Sequence, residues 1–144
     1  MAVILASSCL LGCECRYKGD GCKCDALIKL AESNTIIGVC PEQMGGLPTP
    51  RDPAERHGDK VISCAGKDVT EEYTKGAETA LYFAKLNHVD FAVLKAKSPS
   101  CGKGLIYDGT FTGNKIPGNG VTVELLNANG IPVFTEDELD QLPL

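Results

Sequence analysis

Three short runs of apolar residues, many of them β-branched, constrain the fold of this chain most strongly. They occupy residues 2–7 (AVILAS), 35–39 (TIIGV) and 91–94 (FAVL). Runs of this length without polar alternation are typical of strands buried on both faces of a parallel sheet. A fourth run of this kind lies near the end of the chain, at 131–134. We therefore expect four central strands.

Helical patterns separate these runs. Apolar residues recur at helical spacing over 70–88, and weaker patterns cover 26–34, 118–129 and 135–142. In the last of these, Thr135 and Glu138 have the spacing of a capping box. Alternating strands and helices predict an α/β fold, an open, mostly parallel sheet with flanking helices of the Rossmann-like kind. We expect residues 1–144 to form a single domain of this type around one core.

The segment 40–60 interrupts the alternation. It contains four prolines and three glycines, and proline removes a backbone donor while glycine weakens regular structure. We expect an irregular loop over the whole segment. Loops of this length in a compact domain usually carry function.

Cysteine content and charge limit the function classes. The chain has eight cysteines, and its N-terminal run lacks the basic flank of an export signal. No segment approaches the roughly 20 apolar residues of a membrane span. We therefore expect a cytoplasmic protein without membrane contact, in which abundant cysteine indicates metal, cluster or thiol chemistry. The net charge of −5 argues against large nucleic acids as partners, because a phosphate backbone requires a cationic surface.

Three of the cysteines follow predicted strands. Cys9, Cys40 and Cys101 come after the first, second and third run respectively. The carboxyl ends of parallel strands meet at one edge of an open sheet, where ligands bind, so we expect the three thiols to converge. Thiolate ligands favour zinc, copper(I) or iron–sulfur clusters, and three protein ligands leave a position open for substrate. Small buried thiols without function are the alternative interpretation.

Polar residues near these cysteines are candidates for catalysis and substrate binding. A carboxylate at Glu42 and a hydroxyl at Ser100 suit the activation of water beside an open metal position. A surface charge and a turn-forming serine would explain the same two residues. The candidates for substrate binding in the same loops are Ser8, Arg16, Lys97 and Ser98.

A second group of thiols lies in the first loop. Cys13, Cys15, Cys22 and Cys24 form two C-x-C pairs, which four-thiol metal sites rarely use, since the usual zinc spacing is C-x₂₋₄-C. They bind a separate metal, or they are reduced thiols or a local disulfide. Cys64, beside an apolar pair of residues, is expected to be packed and inert.

Three separated motifs resemble the thiouracil desulfidase family. They are 7–12 (SSCLLG), 40–51 (CPEQMGGLPTPR) and 97–111 (KSPSCGKGLIYDGTF), in the family's order and spread along nearly the whole chain. The resemblance implies a [4Fe-4S] cluster held by Cys9, Cys40 and Cys101, with one iron that no protein residue binds. Three first-loop thiols are extra to these motifs: Cys13, Cys22 and Cys24.

The resemblance also implies a reaction. It is a hydrolase reaction without net redox change, in which sulfur is removed from 4-thiouracil or a related thiolated uracil nucleoside or nucleotide and released as sulfide. The residue matching Glu42 would deprotonate water, and the residue matching Ser100 would orient it. A different class of function remains open at this point, namely a non-catalytic zinc- or cluster-binding module that senses oxidation or carries sulfur.

Overall fold

The computed structural model describes all 144 residues, arranged as eight strands, four α-helices and three 3₁₀ turns. The strands are β1 (Val3–Ser7), β2 (Thr35–Val39), β3 (Ala54–His57), β4 (Lys60–Ser63), β5 (Phe91–Leu94), β6 (Leu105–Tyr107), β7 (Lys115–Pro117) and β8 (Val133–Thr135). The helices are α1 (Asp25–Lys29), α2 (Pro41–Met44), α3 (Thr70–Leu86) and α4 (Val121–Ala128). The 3₁₀ turns are Ser8–Leu11, Leu30–Glu32 and Glu136–Gln141.

The central sheet contains the four predicted strands. Its order is β2-β1-β5-β8, and every neighbouring pair is parallel. The chain passes from β1 to β2 and then crosses back to β5 on the other side of β1. The topological switch point, where ligands bind in such sheets, therefore lies between β1 and β5.

Helices cover both faces of the sheet, as predicted for the α/β class. Successive side chains of a strand point to opposite faces, so Leu5 packs in one core while Ile4 and Ala6 pack in the other. The first core contains side chains of α3 and α4, namely Ala80, Ala84, Val123 and Leu126. The second contains Leu27 of α1 and the half-buried Leu139 and Leu142. No helix has the length and apolar character needed to cross a membrane.

The prediction of an irregular loop over 40–60 was wrong at both ends. Pro41 begins α2, where its missing N–H costs nothing because the first helical N–H has no intrahelical partner. Strand β3 lies inside the segment and pairs antiparallel with β4. The turn between them uses Gly58, whose φ of +62° suits glycine. A second hairpin, β6–β7, was not predicted either.

Helix α2 lies against α3 through two glycines. A Cβ on Gly76 would lie 1.8 Å from the carbonyl oxygen of Pro41, and a Cβ on Gly45 would lie 1.9 Å from that of Glu72. Only glycine permits so close an approach of two backbones. Because Cys40 and Glu42 flank Pro41, this contact sets the position of both residues.

We expect Gly76→Ala to lower the free energy of unfolding by about 1–3 kcal/mol, the usual cost of overpacking, although alanine has the higher helix propensity. The added methyl group must push α2 away from α3. Urea denaturation measures the change. Thr74→Ala, at an exposed position of the same helix, is the control and should stay within about 0.5 kcal/mol of wild type. A Gly76→Ala variant as stable as this control would contradict the tight contact.

Candidate functional site

A cavity of about 530 Å³ opens beyond the carboxyl ends of β1, β2 and β5. This is the edge of the sheet at which the sequence predicts a site. The wall includes eight of the nine residues singled out from the sequence, which are Ser8, Cys9, Arg16, Cys40, Glu42, Lys97, Ser98 and Cys101. The ninth, Ser100, is not part of the wall.

The three strand-end thiols reach this cavity from three different elements. Cys9 lies in the 3₁₀ turn after β1, Cys40 lies between β2 and α2, and Cys101 lies in the loop after β5. Cys9 and Cys101 are buried, and Cys40 is half-buried. Parallel pairing of the three strands therefore brings together thiols that are 31 and 61 residues apart in the sequence.

A fourth thiol, Cys15, lines the same cavity. It is 5% exposed, and its sulfur contacts those of Cys40 and Cys9. Contact with Cys40 lowers the pKa of Cys15, but contact with Cys9 and burial outweigh this and raise it to about 11. The sequence placed Cys15 only in the first-loop group, and the structure places it beside the strand-end thiols.

The other first-loop thiols are dispersed. Cys13 is exposed, while Cys22 and Cys24 are half-buried against the second core. No three His, Cys, Asp or Glu side chains in the chain lie close enough together to hold a single metal ion. In this structure the four first-loop cysteines are therefore not gathered into one group. The prediction that Cys64 is packed was wrong, because this thiol is exposed.

Three of the cavity thiols, Cys15, Cys40 and Cys101, have raised pKa values. Burial raises the pKa of Cys101 to about 12, although the Ser7 and Ser100 hydroxyls act in the opposite direction. Contact with the Cys15 thiol, together with burial, raises the pKa of Cys40. A metal or cluster that binds these sulfurs must displace their protons.

Glu42 is fixed by a buried guanidinium. The Nε of Arg51 donates to the Oε2 atom of Glu42 at 2.9 Å, and Nη2 donates to the same oxygen. The side chains are 6% exposed for Arg51 and 15% for Glu42. Nη2 also donates to the Cys15 carbonyl at 2.9 Å, so this arginine links the carboxylate to the first loop. The other carboxylate oxygen, Oε1, receives no hydrogen bond from Arg51.

Tyr73, in α3, lies beside Glu42, which is in α2. Burial raises the pKa of the Tyr73 hydroxyl, and the negative charge of Glu42 raises it further. The phenol is therefore a neutral group beside the carboxylate. Glu42 thus has a cation and a neutral phenol beside it, and both belong to the cavity wall.

Ser100 lies behind the wall. It is 1% exposed, and its Oγ is 2.8 Å from Oγ1 of Thr122, the second residue of α4. The Ser100 hydroxyl also contacts the Cys101 thiol and lowers its pKa. In this conformation the side chain supports Cys101 and does not face the open part of the cavity.

Two cationic side chains at the cavity, Arg16 and Lys97, have little or no ionic partner. A third, Lys95, is paired, since its Nζ lies 2.6 Å from the Glu136 carboxylate. Arg16 is only loosely paired with Asp20, at 3.6 Å, and Lys97 takes part in no ion pair. Arg16 and Lys97 therefore remain available to a ligand.

Comparison with known proteins shows the family of the chain. The chain matches the 2-thiouracil desulfurase family over residues 4–138. It belongs to this family. It is 43% identical to the uncharacterized protein YbbK of Bacillus subtilis (strain 168), over 97% of this chain and 99% of that protein.

A solved structure is similar to this chain along almost its whole length. This is TudS, described as a [4Fe-4S]-dependent thiouracil desulfidase, with a TM-score of 0.94 and 45% sequence identity. The similarity covers 99% of this chain and 95% of that one. The family and the fold class predicted from the sequence are therefore confirmed.

Several residues at the site were not assigned to it from the sequence, and they are Cys15, Arg51, Tyr73 and Phe111. Arg51 and Phe111 are the last residues of two of the recognised motifs, so their motif position was a usable signal. Cys15 directly precedes Arg16, which was singled out. Tyr73 gave no signal, because its spacing fits an ordinary core position of α3.

We expect Arg51→Ala to lower the free energy of unfolding by about 3–5 kcal/mol, because it leaves the buried Glu42 carboxylate without its partner. Chemical denaturation measures the loss. The control is Lys103→Ala, which breaks the more exposed ion pair with Glu138 and should cost about 1 kcal/mol or less. Equal losses in the two variants would show that the Arg51–Glu42 pair is no stronger than a surface pair.

Proposed function

We propose that this chain is a [4Fe-4S]-dependent desulfidase that hydrolyses 4-thiouracil or a related free thiolated uracil nucleoside or nucleotide without net redox change. One observation carries the proposal: thiols from three strand ends share a cavity with a carboxylate held by arginine. Membership of the 2-thiouracil desulfurase family and the 45% identity to a [4Fe-4S]-dependent thiouracil desulfidase support it.

The donor set at the cavity fits such a cluster. Cys9, Cys40 and Cys101 are the proposed ligands, and thiolate is the usual protein ligand of iron–sulfur clusters. Each cysteine of a cluster binds a different iron, so these ligands need not meet the spacing of a single metal ion. When bound with one iron free of protein ligands, the cluster would supply a Lewis acid with affinity for the sulfur of the substrate.

The reaction exchanges sulfur for oxygen. Water adds its oxygen to the thiocarbonyl carbon, the carbon–sulfur bond breaks, and uracil and hydrogen sulfide are formed from thiouracil and water. No electrons are gained or lost in this balance, so neither a nicotinamide nor any other redox partner is required. The protein must accept one proton from the attacking water and hold the ring in place.

Glu42 is the proposed base. Its Oε2 atom accepts both hydrogen bonds from Arg51, which leaves Oε1 to accept a proton from a water molecule in the cavity. A base fixed by a buried partner presents its free oxygen in one direction, and fixed orientation favours proton transfer.

Four side chains are the proposed substrate contacts, as expected from the sequence. The Ser98 Oγ already accepts from the backbone N–H groups of Ser100 and Cys101, at 3.1 Å each, so its own proton is available to a carbonyl of the ring. Ser8 adds a second hydroxyl at the wall. Lys97 and Arg16 can donate to a ring carbonyl or to the phosphate of a nucleotide.

Ser100 remains a proposed catalytic residue with a specific requirement. To orient water, its side chain must turn from Thr122 towards the cavity, because its hydroxyl now lies within 2.8 Å of the Thr122 oxygen. Without that rotation, Ser100 contributes through its contact with the Cys101 thiol.

The experiment that tests the function is anaerobic reconstitution with iron and sulfide, followed by incubation with 4-thiouracil. We expect about four irons per chain, as in a [4Fe-4S] cluster, and release of one sulfide for each uracil formed. Zinc-loaded protein is the control and should release none. A protein that holds an intact cluster but releases no sulfide from the base, the nucleoside or the nucleotide would support the non-catalytic module instead.

A pair of variants separates cluster binding from catalysis. We expect Cys101→Ala to lose most of its iron, because one of three ligands is removed. We expect Glu42→Gln to keep its iron and lower kcat by about 10²- to 10⁴-fold, the usual contribution of a general base. Glutamine keeps the shape of the side chain and an oxygen for Arg51. Equal iron loss in both variants would make Glu42 a structural residue.

A further inference from the structure

The backbone of Phe111 has an unusual conformation. Its φ is +58°, in the left-handed region that side chains with a Cβ rarely adopt. Only two other non-glycine residues have positive φ, His88 at +51° and Lys97 at +68°. Lys97 and Phe111 both line the cavity, whereas His88 follows α3 and does not. Strained backbone of this kind is often found at functional sites.

Hydrogen bonds to the β3–β4 hairpin hold the strained conformation of Phe111. The Oε1 atom of Glu55, in β3, accepts from the backbone N–H of Gly109 at 3.0 Å and from that of Phe111 at 3.2 Å. The Asp108 side chain holds the same turn by accepting from the Thr110 N–H at 2.9 Å. The turn between β6 and β7 is therefore built to hold residue 111 in one orientation at the cavity.

The Phe111 side chain contributes little to the stability of the fold. Phe111 is 38% exposed and belongs to none of the three core clusters. A phenylalanine ring offers only an apolar face, because it has no donor or acceptor. The cavity wall also includes Tyr17, Tyr73 and Tyr107, each with a polar hydroxyl. Phe111 is the only aromatic ring of the wall without one, and such a face suits stacking on a flat ring.

We propose that Phe111 is a specificity-determining residue that stacks on the pyrimidine ring of the substrate. This inference rests on the proposed function and extends it, since it assigns recognition of the planar base to the β6–β7 turn. Recognition of an N1 substituent would then depend on other side chains. In the free protein Phe111 has a strained backbone and an exposed ring. The stacking contact forms only when substrate is bound.

The decisive variant is Phe111→Gly, because glycine relieves the backbone strain while removing the ring. We expect an equal or higher Tm, an unchanged iron content, and a kcat within about two-fold of wild type. The KM for 4-thiouracil and the Kd for uracil should rise roughly 10- to 100-fold, the range given by loss of one base–aromatic stack. Steady-state kinetics and isothermal titration calorimetry with uracil provide the two readouts.

The matched controls are His88→Gly and Phe111→Tyr. His88→Gly relieves the same kind of strain at an exposed position outside the cavity, so it should keep Tm, KM and the Kd for uracil at or near their wild-type values, with any change in Tm upwards. Phe111→Tyr keeps the aromatic face and should keep KM. If Phe111→Gly does not fold, Phe111→Leu replaces it, since leucine keeps the apolar character without the flat ring and should raise KM and Kd.

The outcomes distinguish this inference from the function on which it rests. A Phe111→Gly variant with wild-type KM and wild-type affinity for uracil would overturn the inference, and so would a lower Tm with loss of iron, which marks a structural role. Wild-type protein that binds no uracil would also overturn it. Wild-type protein that binds uracil through Phe111 but releases no sulfide would overturn the desulfidase proposal and leave the stacking role in place.

Discussion

The site depends on the parallel pairing of β1 with both β2 and β5. This pairing aligns three carboxyl ends at one edge of the sheet and so brings Cys9, Cys40 and Cys101 to one cavity. The alignment is reinforced at the edge itself, where the Ser7 hydroxyl accepts from the Lys95 N–H at 2.9 Å and joins the ends of β1 and β5. A slip of one residue in either pairing would turn the side chains of that strand to the other face.

Helix α2 and its contacts convert this alignment into a defined chemical environment. The glycine contacts fix the position of α2 against α3. The buried Arg51 guanidinium binds Oε2 of Glu42 and leaves Oε1 free. Both contacts would be costly in an ordinary surface loop, because one needs close backbone approach and the other desolvates two charges. Together they hold a carboxylate within the same cavity as the three thiols.

Much of this arrangement was predictable from the sequence, and the exceptions have physical reasons. The apolar runs identified the central strands because burial on both faces leaves a local compositional signal. The segment 40–60 misled because proline at the first helical position is compatible with a helix and because β3 is paired through a local hairpin. Ser100 was placed beside Cys101 by adjacency, yet its hydroxyl points to Thr122, a residue 22 positions further along.

The sequence by itself determined the four apolar runs that form the central strands, the position of a cysteine after each of the first three, and the family through three local motifs. Only the tertiary structure placed Cys15 in the cavity, apart from the other first-loop thiols. It also placed Arg51 and Tyr73 beside Glu42 and held Phe111 in a left-handed conformation at the wall. Local patterns record burial and turn chemistry, which act over a few residues. Contacts between side chains of distant loops arise only once the sheet has brought those loops together.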